Sequence, residues 1–147
     1  MPAASKLTPL FYSLRMDWET PQAFFDMLNA RFRFNTDAAA DAQNAKCKRF
    51  WSREDSALDR IWSKHRIWCN PPYGKELPPF IDKAIAEMAR EVPPSVIVML
   101  VPSRTDTRWW HRATDSGCRV EFIKGRLKFQ GAASSAPFPS ALLIWGE

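Results

Sequence analysis

Residues 67–74 read Ile-Trp-Cys-Asn-Pro-Pro-Tyr-Gly, and within them Asn70, Pro71, Pro72 and Tyr73 carry groups suited to handling a planar amine. An amino group on an aromatic ring delocalises its lone pair and is a poor nucleophile. The Asn70 side-chain carbonyl and the Pro71 backbone carbonyl are two acceptors on a stiffened backbone. Held by both, the two amine hydrogens leave the nitrogen lone pair turned toward an electrophile. Positive charge developing on that nitrogen then meets preorganised dipoles. Tyr73 offers a ring that can stack on a base. No titratable base is required beforehand, which suits a chain with only two His. The electrophile this arrangement calls for is the methyl group of a sulfonium, placed in line by binding. A target base within a duplex must be flipped out to reach such a site. A plain structural turn is the alternative; placement after an apolar strand and before an amphipathic helix favours the chemical reading.

The elements that must hold these residues follow from the pattern. Arg66 to Cys69 is the strand that delivers them, and two prolines end it, since neither donates an N–H to a sheet. Asn70 precedes a proline and is pushed into an extended conformation. Leu77 to Arg90 is an amphipathic helix with Phe80, Ile81, Ala84, Ile85 and Met88 on one stripe. Ser95 to Val101 is an apolar, β-branched strand, Thr107 to Thr114 a helix, and Arg119 to Ile123 a strand that Leu127–Phe129 can continue. Ser140 to Trp145 is a last strand, paired antiparallel because no helix-length segment precedes it. Toward the N-terminus, Thr20 is an expected N-cap with Pro21 at the first helical position, opening a helix from Gln22 to about Arg31. Phe32–Asn35 alternates and reads as a strand entering Thr36-Asp37-Ala38-Ala39-Ala40-Asp41. A short helix is expected to start over Ala42–Cys47 and a brief strand over Lys48–Trp51, with Leu58, Ile61 and Trp62 at helical spacing. Residues 1–17 read as an arm whose Leu10-Phe11-Tyr12 cluster can pack onto the domain, and 18–147 as one domain. Strands alternating with helices indicate an α/β fold with a mostly parallel sheet.

Several strand ends carry further candidates. The small residues Ala38 and Ala39 after Asp37 allow close backbone approach by a ligand, the task glycines perform in nucleotide-binding turns; a solvated turn is the alternative for Asp37. Arg104, Thr105, Asp106 and Arg108 sit at the next strand end and are expected to line the same cleft, contacting nucleic-acid phosphate or the target base, with internal ion pairing as the alternative. Lys124, Arg126 and Lys128 form a basic cluster, suited to phosphate or else a solvated strand face. Trp109 and Trp110 read as core.

The 147 residues are 46% hydrophobic and 25% charged, enough for one good core. The formal charge of +5 fits a polyanionic partner. Three widely spaced Cys with no CxxC pair argue against a disulfide framework and against a zinc site. The N-terminus has no signal pattern and no stretch reaches membrane-spanning length, so a soluble cytoplasmic protein is expected.

The motifs also occur together and in order: Trp18-Glu19-Thr20-Pro21, Thr36–Ala40, Asn44-Ala45-Lys46-Cys47, Trp68–Gly74, Pro102–Thr107, Phe122–Phe129 and Ala136–Ser140. From Trp18 to Trp145 the chain resembles the small phage-type DNA N6-adenine methyltransferases, the phage Dam family. The resemblance implies a Rossmann-like methyltransferase fold that uses S-adenosylmethionine, acts on adenine in DNA, and works in the cytoplasm of a phage-infected or prophage-bearing bacterium. It implies catalytic roles for Asn70, Pro71, Pro72 and Tyr73. It places Trp18 among the cofactor contacts, Thr20 and Pro21 at the methionine end of the cofactor, Asp37, Ala38 and Ala39 in the cofactor-binding first strand-turn, and Asp55 at the cofactor adenine. Only roughly 30 residues separate Asp37 from Asn70, about one βαβ unit. The fold is therefore expected to be shortened between the first and the catalytic strand. Without a separate recognition domain, sequence readout falls to loops or to a dimer partner; monomer and homodimer both stay open. The same chemistry would serve cytosine N4, RNA or protein glutamine, and a shortened, inactive relative would only bind nucleic acid.

Overall fold

The structure, a computed structural model, describes residues 18–147. The expected arm over 1–17, with its apolar cluster, lies outside the described residues. Helix α1 spans Gln22–Phe32, followed by β1 (Thr36–Asp37) and β2 (Arg49–Phe50). Then come β3 (Arg66–Cys69), α2 (Leu77–Met88), β4 (Val96–Pro102), α3 (Arg108–Asp115), β5 (Arg119–Phe122) and β6 (Ser140–Gly146). One six-stranded sheet runs β2-β1-β3-β4-β6-β5. The first four strands are parallel and β6 is antiparallel to both its neighbours.

The core follows the apolar runs. Every residue of β4 is buried, as expected for a strand covered on both faces. Its seven-residue pairing with β6 aligns Val98 with Ile144 and Leu100 with Leu142. Helix α1 buries Phe25, Leu28 and Phe32. Phe25 packs edge-on to Trp68 of β3, ring centroids 5.6 Å apart. Since side chains alternate along a strand, Ile67 and Cys69 point to the face opposite Trp68. Helix α2 buries Phe80, Ile81 and Ala84 of the expected stripe, with Ile85 and Met88 half-buried. Trp110 is buried as core and Trp109 is half-buried.

Five local expectations are corrected, three of them where side-chain to backbone bonding competes with regular structure. Pro21 occupies the N-cap position of α1 without a side-chain cap, and Thr20 is turned elsewhere. The helix ends at Arg33, in the left-handed region at φ 54, while Asn29 Oδ1 accepts the Phe34 N–H at 2.8 Å. The expected strand over Phe32–Asn35 is therefore spent on a helix stop, and β1 begins at Thr36. Over Ala42–Cys47 no helix forms; Asp41 Oδ1 accepts the N–H groups of Gln43 (2.8 Å) and Asn44 (3.0 Å), closing a turn. Between Ser52 and Lys64 only a 3₁₀ turn forms, Ala57–Asp59, capped by the Ser56 hydroxyl. Its helical spacing is incidental: Ile61 is 61% exposed while Trp62 is fully buried. Leu127–Phe129 does not continue β5 as a strand.

Candidate active site

The chain steps from β1 outward to β2, then returns to place β3 on the other side of β1. In an open parallel sheet such a reversal parts the loops beyond the strand ends and leaves a crevice there. Asp37 ends β1, opposite Trp68 in β3, two residues before Asn70. A cleft of about 610 Å³ opens at this point, within the range of ligand pockets. It is lined by Trp18–Thr20, by Asp37–Asp41 with Asn44 and Lys46, by Trp51–Glu54 and Ser56–Leu58, and by Trp68, Asn70, Pro72, Glu76 and Phe80.

Asn70 is held by its amide nitrogen. Nδ2 donates to the Trp18 carbonyl and, at 2.9 Å, to Thr20 Oγ. An atom facing a carbonyl must carry a hydrogen, so these partners define which branch of the amide is nitrogen. Oδ1 is buried and has no hydrogen-bond partner among the described residues. Buried acceptors are rarely left so, because a missing partner costs about 1–3 kcal/mol. Such an acceptor is complete only when a donor arrives.

Asp37 is buried and aims both oxygens at backbone: Oδ1 accepts from Ala39 N–H (3.2 Å) and Oδ2 from Lys46 N–H (3.0 Å). Burial pushes its carboxyl up to about 6, partly offset by those N–H groups. It thereby ties the Ala38–Lys46 loop to the end of β1. The acidic residues Glu19, Asp37, Asp41, Glu54 and Glu76 line the cleft, with Lys46 and Arg53 as the cations. Burial and the neighbouring Asp37 charge raise the Cys69 thiol well above its usual range and push Cys47 up to about 12, so neither is a thiolate near neutrality.

Trp18, Thr20, Asp37, Ala38, Ala39, Asn70 and Pro72 thus come together on one cleft. Other expected residues do not. Tyr73 is 5% exposed, packs edge-on to Phe138 at 5.7 Å and donates its hydroxyl to the Leu100 carbonyl at 3.3 Å. Its ring is a wall behind the cleft rather than a platform within it. Pro21 and Pro71 lie outside the lining. Asp55 points out and pairs with Arg60, leaving its neighbours Ser56, Ala57 and Leu58 on the cleft. Arg104, Thr105, Asp106 and Arg108 are exposed and not part of the lining, correcting the expected shared cleft. They follow β4, and the crevice opens on the far side of β3. Nor are they in ion pairs among the described residues. Lys124, Arg126 and Lys128 are exposed on an irregular loop. That loop reaches the site entrance: Phe129 packs on Trp18 at 5.3 Å, and Gln130 N–H bonds the Glu19 carbonyl at 2.9 Å.

Two residues that matter were not legible. Trp51 is buried just beyond β2 and lines the cleft; its position at a strand end was the available signal. Glu87, on α2, is 1% exposed. Its carboxylate accepts the Trp62 N–H at 2.6 Å and pairs with Lys83 (3.0 Å) and Arg90 (2.7 Å). Together with the bond from Trp62 Nε1 to the Ala57 carbonyl at 2.9 Å, it fixes the 57–62 wall of the cleft. Nothing in the sequence marks a helical Glu followed by Arg as buried. Among the described residues, no helix is long and apolar enough to cross a membrane and no cluster of His, Cys, Asp or Glu is placed to hold a metal ion.

The chain is similar to known proteins over most of its length. A family profile described as DNA N-6-adenine-methyltransferase (Dam) matches residues 8–145. The chain is 33% identical over 112 residues to the DNA N-6-adenine-methyltransferase of Escherichia phage T1, covering 75% of this chain and 45% of that protein. It is 29% identical over 108 residues to the DNA N-6-adenine-methyltransferase of Haemophilus phage HP1 (strain HP1c1), covering 72% and 61%. The chain thus spans about half the length of the curated relatives it matches. By the extent of the profile match, the chain belongs to the DNA N-6-adenine-methyltransferase (Dam) family.

Proposed function

We propose that this chain transfers a methyl group to the exocyclic N6 amine of adenine in DNA, on a shortened Rossmann-like methyltransferase fold. The observation that carries this reading is the Asn70 amide: both N–H bonds are accounted for, and Oδ1 stands buried without a donor. A planar amine supplies that donor. This reading gives the second amine hydrogen to the Pro71 carbonyl, on the locked backbone next to Asn70, although Pro71 itself is not among the lining residues. Pinned at both hydrogens, the nitrogen presents its lone pair, and the charge it gains is stabilised by the two carbonyl dipoles. Asn70 has no titratable group, so it works by position and dipole, and the proton shed by the methylated nitrogen passes to water.

The cleft residues fit a cationic nucleoside cofactor. Asp37 and Glu19 supply negative charge, Ala38 and Ala39 permit close backbone approach, and Trp51 with Ala57 and Leu58 supplies an apolar wall. When bound, S-adenosylmethionine supplies the electrophilic methyl group. Between the end of β1 at Asp37 and the start of β3 at Arg66 the chain holds a single two-residue strand, β2, which accords with the shortened fold. The exposure of Lys124, Arg126 and Lys128, and of Arg104 and Arg108 beyond β4, supports phosphate contact by these side chains around a flipped base.

The test is transfer of labelled methyl from S-adenosylmethionine to a defined duplex. Label is expected in the adenine-containing duplex and not in one whose adenines are replaced by purine lacking the amine. Equal labelling of both, or labelling of neither, refutes the proposal.

A further inference from the structure

The stretch 18–20 does more than border the cleft. The Trp18 ring packs in a three-ring cluster with Phe129 and Phe138, 5.3 Å from each, and the Glu19 carbonyl is bonded to Gln130 N–H. The Trp18 carbonyl and Thr20 Oγ are therefore fixed points, and both are turned to Asn70 Nδ2. A carbonyl only accepts. The side-chain branch opposite it must carry a hydrogen, which an amide nitrogen does and an ionised carboxylate does not.

We propose that Thr20 is a positioning residue: with the Trp18 carbonyl it locks the Asn70 amide so that Oδ1 is the branch left for the target amine, and this pair makes position 70 selective for an amide over a carboxylate. The claim rests on the methyl-transfer reading for its kinetic consequences and departs from the expectation that Thr20 acts on the cofactor. With valine at position 20, Nδ2 loses one of two partners and the amide gains a competing orientation. With serine, the acceptor is retained. A carboxylate at position 70 meets the Trp18 carbonyl acceptor to acceptor, and the repulsion displaces the oxygen that the amine needs.

Two measurements test this. In steady-state transfer, Thr20→Ser is expected within about threefold of the parent kcat. Thr20→Val should lose about ten- to a hundredfold in kcat with the cofactor KM within about twofold, and Asn70→Asp about a hundredfold or more. A Thr20→Val enzyme with the parent kcat, or one whose loss lies in cofactor KM, overturns the proposal; so does an Asn70→Asp enzyme at the parent rate. In NMR of the ligand-free protein, the Asn70 side-chain amide pair is identified by its loss in Asn70→Ala. It should keep its shifts in Thr20→Ser and move in Thr20→Val; an unmoved pair in Thr20→Val overturns the proposal. The spectrum requires no turnover. A parent protein inactive on DNA would refute the methyl-transfer reading, and the positioning claim would still stand or fall on the spectrum.

Discussion

Asp37 should make the stability of this protein fall as pH rises through 6, opposite to the usual behaviour of a carboxylate. Its side chain is buried at the end of β1 and its carboxyl is pushed from 3.8 up to about 6, chiefly by burial. A carboxyl with a raised folded pKa binds its proton more tightly folded than unfolded. Its contribution is therefore fully present below the unfolded pKa of 3.8 and lost as pH rises through about 6. Between pH 7.5 and pH 5 the parent should gain about 1 kcal/mol from this group, or roughly 2–4 °C in Tm for a domain of this size. His65 works against it in the same window, because burial and then Arg49 lower its pKa, so its contribution is lost as pH falls. The comparison must therefore be with Asp37→Asn, which retains His65 and removes the titration. The variant loses one of the two loop bonds and melts lower throughout. The informative quantity is the gap between parent and variant, which should widen by about 1 kcal/mol on going from pH 7.5 to pH 5, read by thermal or urea unfolding. A cationic cofactor beside Asp37 would pull the proton off. Calorimetric affinity for S-adenosylmethionine should then rise about tenfold from pH 5 to pH 7.5, with proton release on binding at pH 6. A constant gap, or one that narrows toward acid, refutes the account of Asp37; a widening gap with pH-independent affinity refutes only its contact with the cofactor.

Asn70→Ala removes the unpaired acceptor and should lower methyl transfer at least about a hundredfold, while affinity for S-adenosylhomocysteine by calorimetry stays within a few-fold; transfer at the parent rate would remove Asn70 from the chemistry. Glu87→Gln should cost about 2 kcal/mol in urea unfolding, because one side chain serves the Trp62 N–H, Lys83 and Arg90. Although burial pushes the Glu87 carboxyl up, those three partners hold it below its usual value, so its stabilising share should disappear only in acid, as pH falls through that lowered pKa. Replacing Lys124, Arg126 and Lys128 together by alanine should weaken duplex binding and reduce the slope of log affinity against log salt by roughly 2–3; an unchanged slope would place phosphate contacts elsewhere.

Much of the fold was legible because it rests on short-range pattern. β3 begins and ends where the apolar run and the two prolines put it, at Arg66 and Cys69. The β-branched run of β4 and the stripe of α2 are buried as their periodicity requires. The antiparallel pairing of β5 and β6 follows from the short connection. Expectations went astray where a polar side chain satisfies backbone groups locally, as Asn29 and Asp41 do, and where apolar spacing in a polar stretch matched a helix by chance, as at Leu58, Ile61 and Trp62.

At the site, sequence by itself determined the inventory: an amide ahead of two prolines, an acid followed by small residues, and strand ends to carry them. These are matters of residue type and neighbouring backbone, and a chain without coordinates already contains them. Tertiary structure decided their orientation. It turned Thr20 from a helix cap into a partner of Asn70, put Tyr73 behind the wall, faced Asp55 outward and set Arg104 and Arg108 apart from the cleft. Those outcomes depend on where β1 and β3 lie beside each other and on which carbonyl stands opposite one amide, and contacts across some 50 residues leave no local trace in the sequence.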